Sequence, residues 1–191
     1  SVDSMSAVRA ALQIPVFAMI RPRAGNFVYD QDEFTTMKRD LQAAQAAGMD
    51  GVVLGILRAD GTVDVSRTRE LVDLVKPLQV TFHRAFDECT DLEQALEAVV
   101  STGATRILTS GGAPAAADGA LSLKKLVQAA GDRMTVMPGG GLHAANLAAV
   151  RAVTGAREFH SGLGSLLPYG GGDYSRFEEE VRAMAKQKSA H

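Results

Sequence analysis

Cysteine is almost absent from this 191-residue chain: Cys89 stands alone, so no internal disulfide can form. Long apolar runs are missing as well. The longest, residues 16–20 and 52–57, fall far short of the ~20 residues needed to cross a bilayer. No basic stretch precedes an apolar run at the start, so no signal peptide is expected, and the expected compartment is the cytoplasm. A basic surplus is also lacking: 20 Lys and Arg face 22 Asp and Glu, a net charge of -2, and no basic run exceeds Lys124 and Lys125. Nucleic-acid binders concentrate positive charge on one surface, so neither nucleic acid nor a membrane is an expected partner.

What is present is a globular composition. The chain is 46% hydrophobic with mean hydropathy close to zero, and its length suits one domain over residues 1–191. Short apolar runs rich in β-branched and aromatic residues begin at 16, 52, 80, 107, 135 and 158, intervals of 36, 28, 27, 28 and 23 residues. They read as buried strands. Between them, apolar residues recur at helical spacing, as in Phe34, Met37, Leu41 and Ala44, or Leu92, Leu96 and Val99. Thr90 with Glu93 fits a capping box, while Gly48, Gly103, Gly131 and Gly155 sit where helices should end. Six strands and seven helices, the first over residues 3–12, form an alternating pattern that demands parallel strands.

A parallel sheet is either open and doubly wound or closed into a barrel. No G-x-G-x-x-G opens a helix after the first strand, which removes the commonest doubly wound signature. Polar residues and glycines instead follow nearly every strand: R-P-R (21–23), H-R-A-F-D (83–87), S-G-G (110–112), G-G-G (139–141) and H-S-G (160–162). A TIM-type barrel gathers such loops into one ring. Eight-fold barrels need ~250 residues, so six strands imply an incomplete barrel whose first β-α-β unit is missing. The expected consequence is an exposed seam, covered by a second copy of the chain or by the glycine-rich stretch 162–172.

The segments M-I-R-P-R (19–23), G-V-V-L-G-I-L (51–57), V-T-F-H-R-A-F-D (80–87), R-I-L-T-S-G-G (106–112), M-P-G-G-G (137–141) and R-E-F-H (157–160) occur in the order and spacing of the CutC family, which this chain resembles over about residues 1–161. The resemblance implies a TIM-type barrel, a cytoplasmic protein and a part in copper homeostasis. In that family, cysteines on the first two strands are proposed copper ligands; here only Cys89 remains. The tail S-G-L-G-S-L-L-P-Y-G-G-G after His160 departs from the family pattern.

Arg21 and Arg23 follow a strand with Pro22 between them, and guanidinium forks suit carboxylate or phosphate unless an acidic loop residue such as Asp87 or Glu88 takes them first. His83, Arg84 and Asp87 end the third strand, where barrel enzymes project catalytic groups; since successive strand residues face opposite ways, His83 and Arg84 cannot both face the pore while the strand persists. His160 ends the last strand. His83, Asp87 and His160 are the acid-base candidates, with packing as the alternative for the two histidines and pairing with an arginine for Asp87. The turns Ser110, Gly111, Gly112 and Gly139, Gly140, Gly141 can aim N–H groups at an anion, with Arg84 beside them, or serve only as tight turns. For Cu(I) the soft donors are Cys89, Met19 and Met137. Two functions therefore compete: copper homeostasis through copper binding, or an enzyme acting on a small phosphorylated substrate with Arg21, His83, Gly111, Gly139 and His160 around one opening.

Overall fold

The computed structural model describes residues 2–167 and 172–187. Five short parallel strands lie side by side in chain order: β1 (Phe17–Met19), β2 (Gly51–Leu54), β3 (Gln79–Phe82), β4 (Arg106–Thr109) and β5 (Thr135–Pro138). The helices α2 (Gln31–Ala46), α3 (Val65–Leu74), α4 (Leu92–Thr102) and α5 (Ala120–Ala130) connect them. Before β1 comes α1 (Val2–Ala11), and after β5 come α6 (Ala144–Thr154) and α7 (Ser175–Lys186). Strand order decides the class. Crossovers that always step the same way with one hand put every helix on one face, whereas a doubly wound sheet reverses direction and is coated on both. The order β1-β2-β3-β4-β5 never reverses, so the sheet curls in the TIM-type manner.

Alternation along each strand divides the sheet into two faces. Ala18, Val52, Leu54, Val80, Phe82, Ile107 and Val136 are buried toward the helices. There they join Phe34, Met37, Leu41 and Ala44 of α2, with Leu71, Leu96, Leu123 and Leu147 from the later helices, in one core. The intervening positions, among them Met19, Val53, Leu108 and Met137, line a concave cavity of about 400 Å³. Met19 is 59% exposed, so the inner face of the curled sheet is not sealed.

Three sequence expectations need correction. The expected sixth strand at 158–160 is reduced to one parallel bridge between Gly139 and His160, held by the His160 N–H donating to Pro138 O at 2.9 Å. A segment with a strand neighbour on one side only gains half the ladder, and Glu158 is instead drawn to Arg106 at 2.6 Å. The second strand stops at Leu54 rather than Leu57, because Leu57 turns away to pair antiparallel with Val63. The cap of α4 is Asp91, not Thr90: its carboxylate accepts the N–H groups of Glu93 and Gln94, both at 3.0 Å. Of the glycine-rich stretch 162–172, residues 168–171 lie outside the described residues. The C′ glycines do hold left-handed backbone, with φ of 84° at Gly103 and 69° at Gly155. Among the described residues no helix is long and apolar enough to cross a membrane.

Candidate functional site

Parallel strands end on the same side, so every loop that follows one opens there. The loop after β3 is organised by His83 and Asp87. His83 caps the short 3₁₀ helix Arg84–Glu88, its Nδ1 accepting the Ala85 N–H at 3.1 Å. Its ring is 4% exposed, seated on Gly55, where any Cβ would come within 2.6 Å of it, and covered by the Phe27 ring at 4.8 Å. Burial, with the nearby Arg21 charge, pushes its pKa down to about 4, so the imidazole is neutral at physiological pH.

Asp87 is the hub of the mouth. Its carboxylate accepts the Thr109 hydroxyl, the Ser110 N–H and hydroxyl at 3.0 Å, the Gly112 N–H at 3.0 Å and the Arg84 Nε–H at 2.8 Å. The turn at 110–112 therefore already holds an anion, the protein's own carboxylate, and the remaining Gly111 N–H donates to Thr109 Oγ1 at 2.9 Å. Asp87 and that turn thus form a brace between the ends of β3 and β4.

The brace aims Arg84. One terminal nitrogen donates to Ser110 Oγ at 2.7 Å, while the other, Nη1, packs against Gly140, where a Cβ would lie 3.0 Å away and φ is +105°. A side chain at Gly140 would therefore push the guanidinium away. In the triglycine turn, Gly139 N–H belongs to the sheet, donating to Thr109 O at 2.9 Å. Among the described residues nothing accepts from the N–H groups of Gly140 or Gly141, nor from Arg84 Nη1. These groups line a cavity of about 610 Å³ with His143, His160, Ser161 and Gly162. Glu180 of α7 lines the same cavity, its carboxylate accepting the Ala144 N–H at the start of α6. Burial lowers the pKa of His160, which also borders the concave cavity below.

The two arginines after β1 part company. Arg23 is consumed within its own loop, by Glu33 and by the carbonyls of Asn26 and Val28 at 3.0 and 2.8 Å. Arg21 donates to Gly25 O at 2.7 Å, stands beside the Tyr29 hydroxyl, lies 4.6 Å over the Phe27 ring and has no carboxylate partner among the described residues. Cys89 sits away from the mouth, in a groove with Thr90 and Asp91, and burial first, then Asp87 and Glu88, raise its thiol pKa to about 11.

Sequence reasoning missed Gly55, Tyr29 and Thr109. Gly55 carried a signal, a glycine directly after a strand; a strand-end threonine and a loop tyrosine carried none.

This curled parallel sheet, with its loops converging on one polar mouth, defines a TIM-type α/β barrel protein. The chain matches the profile of the CutC family over residues 1–165, ending before α7. It is 43% identical to a CutC family protein of Chromobacterium violaceum, covering all of this chain and 78% of that one. It is 45% identical to one of Xanthomonas campestris pv. campestris, covering 84% and 67%. The solved CutC of Streptococcus agalactiae, whose name links it to copper homeostasis, superposes with a TM-score of 0.81 at 32% identity over 84% of this chain and 80% of that one. An aldolase at 16% identity and a TM-score of 0.67, over 84% of this chain and 74% of that one, shares the fold alone. The chain belongs to the CutC family.

Proposed function

We propose that the barrel mouth is an enzyme site for a small phosphorylated molecule, with Arg84 and the triglycine turn holding the phosphate. The observation that carries this reading is Arg84 Nη1 lying against Gly140, beside two backbone N–H groups in one cavity, all three without an acceptor among the described residues. Three donors in a fixed arrangement suit an oxyanion. Asp87, with its oxygens filled by donors, serves as architecture, and His160 at the cavity's edge is the residue for proton transfer. Titrating inorganic phosphate into ¹⁵N-labelled protein is expected to shift the Gly140 and Gly141 amides, and Arg84→Gln to weaken binding by about tenfold or more. Unmoved glycine amides at saturating phosphate would sink the reading.

A second reading follows from the family. We propose Cu(I) binding on the concave face, because Met19, Met137 and His160 line one cavity there, and thioether and imidazole are soft enough for Cu(I). Cys89 does not fit: its thiol stays protonated, and no group of three His, Cys, Asp or Glu able to hold a metal occurs among the described residues. Competition against a chromogenic Cu(I) chelator is expected to show one equivalent bound, lost in Met137→Leu and unchanged in Cys89→Ser. No competition, or loss through Cys89→Ser, argues against it.

We propose further that the chain acts in the cytoplasm and pairs with a second copy of itself. β1 pairs on one side only, and Met19 beside it is exposed. Apolar edge surface favours coverage at about 25 cal/mol per Å². Sedimentation velocity is expected to show concentration-dependent dimerisation that Met19→Glu weakens; a single monomeric species at all concentrations would exclude it.

A further inference from the structure

We infer that Arg21 and His83 form a second, oxygen-binding subsite at the mouth, which takes a carboxylate or carbonyl oxygen of the ligand whose phosphate lies at Arg84. This rests on the anion-binding reading above and adds the chemistry of the ligand's other end.

The argument begins with a tautomer. His83 Nδ1 accepts the Ala85 N–H, so the ring proton of the neutral imidazole is on Nε2. That Nε2–H is buried and has no acceptor. An unmade hydrogen bond of this kind is costly, because the buried donor has given up its water and gained nothing in return. Nearby, the Tyr29 hydroxyl is equally buried, and Arg21 stands close enough to oppose, through its charge and a hydrogen bond, the rise that burial gives the Tyr29 pKa. Arg21 itself spends one nitrogen on Gly25 O and meets no carboxylate. Among the described residues, donors collect around this guanidinium and no carboxylate answers them.

The surroundings show that the grouping is built. His83 and Arg21 continue the inward-facing alternation of β3 and β1, above Thr81 and Met19. Between them Gly55, at the end of β2, carries no side chain, and the ring occupies the space a Cβ would need. Phe27 joins the pair, stacked under Arg21 at 4.6 Å and tilted against the His83 ring at 4.8 Å. The loop after β1 is thus a cover that must lift for an oxygen to reach Nε2. Its arginine would then meet the oxygen together with the imidazole. A neutral imidazole suits this task because it donates to a ligand oxygen without first surrendering a proton, and Arg21 supplies the charge.

The test uses a matched pair of probes, 3-phosphoglycerate and glycerol 3-phosphate, which differ by a carboxylate. Calorimetry on the full chain is expected to show 3-phosphoglycerate binding about tenfold or more tightly, a charge-assisted increment. His83→Asn keeps a short acceptor for the Ala85 N–H while withdrawing the donor from the position of Nε2, and should reduce the ratio to near one. His83→Gln, which restores an N–H near the Nε2 position, should recover part of it. Arg84→Gln should weaken both probes alike. Equal affinities in the wild type, or a preference that survives His83→Asn, overturn the subsite and leave the phosphate site standing. If neither probe binds, both fall. Should the variants misfold, imidazole ¹⁵N spectra of the wild type decide: a proton on Nδ1, or an Nε2 resonance indifferent to 3-phosphoglycerate, refutes the assignment.

Discussion

Replacing Asp87 with alanine is expected to lower the free energy of unfolding by about 3 kcal/mol or more, the cost of leaving the buried hydrogen-bond donors around a carboxylate without their acceptor. The side chain is 9% exposed, and its carboxylate serves the Thr109 and Ser110 hydroxyls, the backbone of Ser110 and Gly112, and Arg84. Alanine removes the shared acceptor from all of these donors at once; the Thr109 hydroxyl and the Ser110 N–H lose it in the buried part of the turn, while Gly112 and Arg84 can turn to water and the Ser110 hydroxyl to Ala113 O. For a chain of this length each kcal/mol moves the thermal midpoint by roughly 2–4 °C, so a drop on the order of 10 °C should follow. Asparagine would spare the volume but turn an amide N–H toward other N–H groups, and should recover little. The comparison is Glu97→Ala. Its bidentate partner Arg133 is half exposed, and such solvent-screened surface pairs contribute little. If urea midpoints of the Asp87 and Glu97 variants fall together, the brace is not holding the mouth.

Periodicity made the helices and strands legible, and glycine punctuation marked their ends, because both are local consequences of burial and backbone geometry. Phe34, Met37, Leu41 and Ala44 all point into the core as their spacing requires. The sixth strand was not legible, since an E-F-H run looks the same whether or not a neighbour stands on its outer side. Site residues were legible as positions, strand ends on one side of a sheet, but not as roles. H-R-A-F-D gave no sign that Asp87 would be turned inward to fill the very turn that looked like an anion site, because the partners lie more than twenty residues away. Nor could spacing separate Arg21 from Arg23. What distinguishes them is Glu33, which the first turn of α2 delivers to Arg23.

Acid is expected to weaken the fold well before ordinary carboxylates titrate, and His83 is the reason. In the native chain its pKa is about 4; in the unfolded chain it returns to 6.5. Above pH 6.5 neither state binds a proton there, and the imidazole contributes its full stability. Between pH 6.5 and 4 the unfolded state takes a proton that the native state refuses, so unfolding becomes easier by about 1.4 kcal/mol per pH unit. The loss approaches about 3 kcal/mol by pH 4 and then levels off as the native ring is protonated too. His160, also lowered by burial, adds in the same direction. Fully exposed Asp60, Glu97 and Asp173, held below their ordinary values by hydrogen bonds, act only at lower pH. His83→Asn supplies a side chain that does not titrate while still capping the 3₁₀ helix. Urea unfolding at pH 7 and pH 4.5 should show a smaller difference for the variant than for the wild type, by about 2 kcal/mol. Parallel curves for the two proteins would mean that the imidazole charges freely in the native state, and then the ring could not be buried under Phe27 with Arg21 beside it.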